Sequence, residues 1–238
     1  MTVPERLSAL RKLMRDKNID VYVVPTADFH QSEYVGEHFK ARKFITDFSG
    51  SAGTAVITLN DAKLWTDGRY FIQAAKQLEG TTVTLMKMFE PGVPSINEYL
   101  EEILQAGQTL SFDGRVVSVG EGDEYADIAK KKGAKVDYQE DLIDEIWTDR
   151  PPLSEEPAFF LEEKYTGEST ASKLARIRKE MEEAGCDTHI VSTLDDTCWT
   201  LNIRGNDIEF FPLVLSYAII KKDSFELYID ERKLDDNL

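Results

Sequence analysis

The sequence predicts an α/β fold in three layers, followed by a second and shorter unit on the same plan. Three observations carry this. Helix signals and strand signals alternate over residues 1–149, the pattern of a sheet with helices on both faces. Residues 150–157 hold three prolines and two glutamates, a composition that continues neither a helix nor a central strand. Beyond that break, the opening pattern of the chain recurs.

The elements follow in order. Thr2-Val3-Pro4-Glu5 has capping-box spacing with a proline in the first turn. Leu7, Leu10 and Met14 then recur at helical spacing. Residues 21–24 are a short apolar run ended by Pro25, as in a buried strand. Residues 54–59 and 64–66 read as two strands about an Asn60-Asp61 turn. Asp67-Gly68 leads into a helix carrying Tyr70, Phe71, Ala74 and Leu78, which Gly80 closes. Residues 81–86 form a β-branched strand. Ser95-Ile96-Asn97-Glu98 caps the next helix, ended by Gly107, and residues 109–112 follow as a strand. Ser118-Val119-Gly120-Glu121 caps a helix that Gly133 ends, and residues 134–138 are the last strand before the break. In the second unit, residues 213–220 and 225–229 read as a pair of strands.

The repeat is visible without gaps over the opening unit. With Leu7 set on Leu174, Leu10 meets Ile177, Arg11 meets Arg178 and Met14 meets Met181. Asp20 meets Asp187, Val23-Val24 meets Ile190-Val191, and Asp28 meets Asp195. Apolar falls on apolar along one helix face and through one strand, so both units are expected to share a core design. With a gap, Leu64-Trp65-Thr66-Asp67-Gly68-Arg69 falls on Leu227-Tyr228-Ile229-Asp230-Glu231-Arg232. Far more chain follows Arg69 in the first copy than follows Arg232 in the second. The second domain is therefore expected to be incomplete, and the chain to be a fragment or the product of a truncated reading frame.

Composition narrows the function. Of 238 residues, 42% are hydrophobic and 30% charged, ordinary for a folded soluble chain. The net charge of −16 is shared between both halves, so nucleic-acid phosphates and anionic lipid are poor partners. Lys130-Lys131-Lys132, the longest basic run, reads as a solvated helix end before Gly133. The densest apolar stretch, residues 210–220, is broken by Pro212, Ser216 and Tyr217 and falls short of the ~20 residues that span a bilayer. No signal-peptide pattern opens the chain. Two cysteines, Cys186 and Cys198, exclude a disulfide framework. A cytoplasmic location is expected.

No catalytic constellation stands out. His30, His38 and His189 are the only histidines. His30 and His38 flank Glu33 and Glu37 at no standard ligand spacing, and His189 reads as a packed strand residue. Ser49-Gly50-Ser51-Ala52-Gly53 lacks the first glycine of a nucleophile elbow and reads as a turn. Cys198 beside Trp199 reads as an inert buried thiol. Asp20, Asp28 and Asp67 could gather around magnesium as in a ribonuclease-H-like nuclease. The acidic surface disfavours that substrate, and carboxylates at strand ends are commonly caps and turn formers.

Several blocks resemble a known family. They are Asp28-Phe29-His30-Gln31-Ser32-Glu33-Tyr34, Phe48-Ser49-Gly50-Ser51-Ala52-Gly53-Thr54-Ala55 and Leu64-Trp65-Thr66-Asp67-Gly68-Arg69-Tyr70-Phe71. Ile146-Trp147-Thr148-Asp149-Arg150-Pro151 and Leu201-Asn202-Ile203-Arg204-Gly205-Asn206-Asp207-Ile208 continue the match. Together they resemble the N-terminal half of a three-domain Xaa-Pro aminopeptidase (aminopeptidase P) of the creatinase/prolidase superfamily. Asp47 and Ser49 depart from the pattern, where Gly and Thr are expected.

The resemblance implies tandem creatinase/prolidase N-terminal domains, each a ribonuclease-H-like α/β/α unit with a mixed sheet. It places one over residues 1–149, a linker at 150–157 and a partial second domain at 158–238. It further implies a C-terminal pita-bread domain outside this chain. There two divalent metals, usually manganese, on two Asp, one His and two Glu would serve removal of the N-terminal residue from Xaa-Pro peptides. No catalytic residue or metal ligand carries over to this chain, which is expected to be inactive alone. Its domains are implied to support a homodimer of the full-length parent and to gate peptide substrates. Asp67, Arg69 and Arg204 are the substrate-proximal candidates. The residues themselves favour Asp67 as a helix cap and Arg69 as the partner of a neighbouring carboxylate, and Arg204 equally reads as a turn former before Gly205. A free-standing interaction module or truncated pseudoenzyme is the alternative function, and a nuclease the third.

Overall fold

Thr2 caps α1 (Val3–Asp16) reciprocally: its side chain accepts from the Glu5 amide, and the Glu5 carboxylate accepts from the Thr2 amide at 2.7 Å. Such a box satisfies amides that the first turn leaves open. Val3, Leu7, Leu10 and Met14 form the buried face of α1, which shares a core with Tyr22 and Val24 of β1 (Val21–Pro25). The computed structural model describes residues 1–235. They fall into two units, Met1–Glu33 with His38–Pro151, and Tyr34–Glu37 with the residues from Pro152 onward.

The first unit is built on a six-stranded sheet in the order β4-β3-β2-β1-β5-β6. The remaining strands are β2 (Thr54–Thr58), β3 (Ala62–Thr66), β4 (Thr84–Lys87), β5 (Thr109–Phe112) and β6 (Lys135–Asp137). β2 runs antiparallel to β1 and β3, and the other pairings are parallel. A parallel neighbour needs a crossover, and helices supply them: α3 (Phe71–Gln77) before β4, α4 (Ile96–Ile103) before β5 and α5 (Val119–Lys132) before β6. α1, α2 (Ala41–Thr46), α3 and α6 (Leu142–Ile146) contribute to the core on one face. α4 and α5 pack on the other, where Val21 and Val23 meet Leu100, Leu104 and Ile128. Alternate residues of β1 thus serve opposite cores, and residues 21–24 are all buried.

The second unit contains β7 (Phe159–Phe160), α7 (Glu163–Thr166), α8 (Thr170–Glu183), β8 (Thr188–Val191), α9 (Leu194–Leu201), β9 (Ile203–Arg204), β10 (Ser216–Lys221) and β11 (Phe225–Ile229). β11-β10-β8 form an antiparallel sheet and β7-β9 a separate pair. The repeat read from the sequence is present in the strand register. Val23 pairs with Val56 and Val56 with Lys63 in the first unit, as Ile190 pairs with Ile219 and Ile219 with Glu226 in the second. Leu174, Ile177 and Met181 of α8 pack on one side of this sheet, as α1 does on its own.

The structure departs from expectation at particular points. β4 starts at Thr84, because residues 81–83 turn: Thr81 Oγ1 donates to the Leu78 carbonyl at 2.7 Å and accepts from the Val83 amide. β10 starts at Ser216, because the Leu215 amide donates to Asp207 at 2.6 Å instead of to a strand. α4 stops at Ile103, where Leu104 is already extended. His189 lies in β8 but is exposed, since β8 is an edge strand. Asp47, where the family pattern expects glycine, sits at φ 60° as the left-handed cap of α2 and is held there by Arg6 at 2.6 Å. That backbone region favours glycine, and aspartate is among the few side chains that tolerate it.

Two outcomes are expected. Leu100→Ala, at a fully buried position, lowers unfolding free energy by about 2–5 kcal/mol, and Ser118→Ala, which removes the cap of α5, by about 1 kcal/mol; chemical denaturation reads both. Limited proteolysis cuts first within residues 152–157, which lack regular structure and are largely exposed. Mass mapping of the first fragments checks this, and an earlier cut inside residues 21–70 contradicts it.

Candidate functional site

The strands of the first sheet that run parallel to β1 all end on one rim, and carboxylates follow three of them. Asp67 follows β3, Asp113 follows β5, and Asp28 lies just beyond β1. Crevices outside the carboxyl ends of strands are where open α/β sheets commonly bind ligands.

Asp67 and Arg69 form a closed fork. The Arg69 amide and Nε donate to Asp67 Oδ1 at 3.0 and 2.9 Å, and Nη2 donates to Oδ2 at 2.9 Å. The bidentate bond to Arg69 holds the Asp67 carboxyl below its ordinary range. The Arg69 side chain remains 61% exposed, and its guanidinium lies over the Tyr70 ring at 5.3 Å. Tyr70 in turn shares a 2.8 Å hydrogen bond with Ser51 Oγ. The candidate pair is therefore an ion pair on the sheet rim, with its arginine open to solvent.

The same fork occurs twice more. Arg115 donates to Asp113 through its amide, Nε and Nη2 at 3.0, 2.9 and 2.9 Å, and Arg232 grips Asp230 from its amide and Nε at 3.0 and 2.9 Å. The repeat aligns the third fork with the first. Asp113-Gly114-Arg115 was not singled out from the sequence, although it matches Asp67-Gly68-Arg69 letter for letter. Its glycine has a steric reason: a Cβ on Gly114 would lie 2.8 Å from the Tyr138 carbonyl oxygen. Arg115 also reaches Asp141 at 3.2 Å, and Asp141 binds the buried Arg150 at 2.6 Å. Arg150 Nε donates to the His38 carbonyl, and the His38 ring bonds the Pro151 carbonyl at 2.8 Å.

Arg42 is a second residue that sequence reasoning missed. It is buried, donates to Thr26 Oγ1 at 2.9 Å and to the carbonyls of Phe48 and Gly50, and stacks on Phe48 at 4.5 Å. Burial pushes its pKa down to about 10. Arg42 thereby shapes the glycine-rich turn, in which a Cβ on Gly53 would meet the Trp65 carbonyl at 2.9 Å.

Arg204 is built into the second unit differently. Its Nη1 donates to the carbonyls of Cys198 at 3.2 Å and Ile203 at 2.7 Å. The buried Lys173 donates to the Trp199 carbonyl at 2.7 Å and to Asn202 Oδ1 at 2.5 Å. Two cations thus neutralise the C-terminal carbonyls of α9, where Asn202 caps in the left-handed region at φ 58°. Arg204 belongs to this cap, in a different unit from Asp67 and Arg69.

The nuclease constellation does not form. Asp20 precedes β1 and accepts from the Thr109 amide at 2.9 Å, whereas Asp28 and Asp67 follow strand ends. A strand of this length separates its two ends by roughly 17 Å. Asp28 Oδ1 accepts from the amides of His30 and Ser32 at 2.8 and 3.0 Å, as a turn former does. Among the described residues, no group of three His, Cys, Asp or Glu side chains is disposed to hold a metal ion. The described residues do not fit a di-metal centre. Cys198 is buried, and burial raises its pKa, against a nucleophilic role. No helix among the described residues is long and apolar enough to cross a membrane.

Two creatinase-type N-terminal domains in tandem are the class of protein that this fold defines. A family model described as creatinase/prolidase N-terminal domain matches residues 6–146, and another of the same description matches residues 149–238. The chain belongs to the creatinase/prolidase N-terminal domain family. It is 46% identical over 237 residues to a probable Xaa-Pro aminopeptidase P of Neurospora crassa, covering 98% of this chain and 34% of that protein. It is 39% identical over 245 residues to Xaa-Pro aminopeptidase 1 of Dictyostelium discoideum, covering 99% of this chain and 39% of that protein. The crystal structure of an X-prolyl aminopeptidase from Caenorhabditis elegans, described as a cytosolic enzyme with a di-nuclear active site, matches with a TM-score of 0.93. That match has 35% identity and covers 100% of this chain and 40% of that one. The chain therefore corresponds to the N-terminal region of the Xaa-Pro aminopeptidase family and spans little more than a third of these relatives. The family and the α/β fold expected from the sequence are both found.

One titration follows from the second unit. The Arg176 fork at 2.7 Å, with help from Ser172, pulls the Glu168 pKa down to about 2. A depressed carboxylate pKa contributes stability above its unfolded value near ~4.3, and that contribution is lost as pH falls toward the folded value. Carboxyl NMR should show Glu168 titrating near about 2, and Arg176→Ala should move it upward. An unmoved midpoint contradicts the pairing.

Proposed function

We propose that this chain is the non-catalytic N-terminal region of a Xaa-Pro aminopeptidase, contributing dimerisation and control of peptide entry. In this reading the hydrolytic centre, with two divalent metals and manganese as the expected ion, lies on a C-terminal domain outside the chain. The substrates are peptides with proline in second place, and the location is cytoplasmic. The observation that carries the reading is the match to Xaa-Pro aminopeptidases along nearly all of this chain but only about a third of theirs. The chemistry of the rim agrees with it, since Asp67 and Asp113 are held in arginine forks and Asp28 accepts from the amides of a turn.

Asp67 and Arg69 suit a gating role better than Arg204. Arg69 spends its amide, Nε and Nη2 on Asp67 and keeps Nη1 for a carbonyl or carboxylate of a peptide. The fork fixes the guanidinium plane, so little side-chain entropy remains to be lost on binding. Arg204 donates to backbone carbonyls of its own cap, and its removal is expected to act on stability.

The test joins two measurements. In a longer form that carries the metal domain, Arg69→Ala should raise KM for Xaa-Pro peptides severalfold, or admit longer ones, with kcat nearly unchanged. The 238-residue chain alone should not hydrolyse a short Xaa-Pro peptide in excess manganese, because a two-metal centre needs bridging carboxylates that no described cluster supplies. Turnover that chelator removes and repurification retains overturns the non-catalytic assignment.

A further inference from the structure

Of the three Asp-x-Arg forks among the described residues, one has its outward nitrogen in use. In each fork the arginine amide, Nε and Nη2 face the aspartate, which leaves Nη1 turned away from it. Arg232 Nη1 donates to Glu155, which lies in the irregular, proline-bearing stretch of residues 152–157. The second unit thus shows what such a nitrogen takes: a carboxylate on a proline-rich segment outside any helix or sheet. In the first unit, no partner among the described residues takes Nη1 of Arg69 or Arg115. Both side chains are more than half exposed. Each guanidinium also lies over an aromatic ring, Tyr70 at 5.3 Å and Phe29 at 5.5 Å, so its plane is fixed before a ligand arrives.

We infer that Arg69 and Arg115 are the two prongs of a site for an extended, proline-bearing peptide that carries two carboxylates. β3 and β5 both run parallel to β1, so their forks stand on one rim. The order β3-β2-β1-β5 puts three strand spacings between them, roughly 14 Å. A proline-rich chain rises ~3.1 Å per residue. Glutamates at i and i+4 are then ~12 Å apart along the backbone, and their side chains supply the remaining reach. Within that span a small cavity opens at the carboxyl ends of β1 and β5, where Pro25, Ala27 and Val116 are among its lining residues. It offers apolar contact to the residues between the two glutamates, at the end of the sheet where open α/β folds commonly receive ligands. The inference rests on the reading of Arg69 as a peptide-facing residue. It adds the second prong, the spacing and the acidic character of the peptide.

The experiment follows the side-chain Nε–H NMR signals of Arg69 and Arg115 in the 238-residue chain. Acetyl-Glu-Pro-Ala-Pro-Glu-amide should shift both signals together. It should bind at least about tenfold more tightly than acetyl-Glu-Pro-Ala-amide, because its second contact is intramolecular. Acetyl-Gln-Pro-Ala-Pro-Gln-amide should shift neither signal. Arg115→Ala should bring the longer acidic peptide down to the affinity of the shorter one. Arg115→Lys, which keeps the charge and gives up the fork, should do the same, and a thermal melt shows that each variant is folded. The peptide series needs no variant, so it stands even where loss of a fork unfolds the unit. Equal affinity for the two acidic peptides, shifts by the glutamine peptide, equal shifts by sodium acetate at matched carboxylate concentration, or no shift at millimolar peptide overturns the inference. Failure at Arg115 alone leaves the Arg69 gate standing, because that gate is read from KM in the longer form.

Discussion

Burial of β1 on both faces is the constraint on which the first unit depends. A strand with Tyr22 and Val24 turned one way and Val21 and Val23 the other leaves no side for water. One layer of helices cannot satisfy it. α1, α2, α3 and α6 close one core and α4 and α5 the other, and the parallel crossovers to β4, β5 and β6 deliver three of the six, α3, α4 and α5. The sheet is mixed for a related reason. The tight β2–β3 turn permits only antiparallel pairing there, while each crossover helix permits a parallel neighbour.

The rim follows from the same layout. Strands that run parallel to β1 end together, so their terminal aspartates and following arginines collect on one edge of the sheet. Each Asp-x-Arg fork closes the turn after a strand with bonds from the arginine amide and side chain. This local economy explains why the same three-residue pattern recurs in both units. On that rim Asp67 and Asp113 are held in arginine forks, and Asp28 accepts two amides on Oδ1. Only the outward side of an arginine such as Arg69 is left for another molecule.

Much of this was legible in the sequence, because local rules agreed with global ones. The capping boxes at Thr2, Ser95 and Ser118, the apolar run of β1 and the glycine after α5 sit where the sequence places them. The repeat was legible because core positions kept their spacing in α1 and α8. Other parts were not. α2 and α6 have six and five residues, too few turns for a periodic signal to stand above chance. Arg42, Arg150 and Lys173 are buried cations whose partners are mostly backbone carbonyls or residues distant in the chain. A linear pattern carries no mark of such partners. The repeat of β1 predicts a packed His189, which is exposed in β8. Its exposure comes from the place of β8 at the edge of the sheet among the described residues, a property of the sheet and not of the strand.

Hydrogen exchange along the two equivalent strands tests the central claim most directly, that one strand design is enclosed in the first unit and open in the second. In the monomeric 238-residue chain, amides of residues 21–24 should exchange only through large-scale opening of the first unit. Those of residues 188–190 that face the free edge of β8 should exchange orders of magnitude faster. Equal protection of the two strands would contradict it.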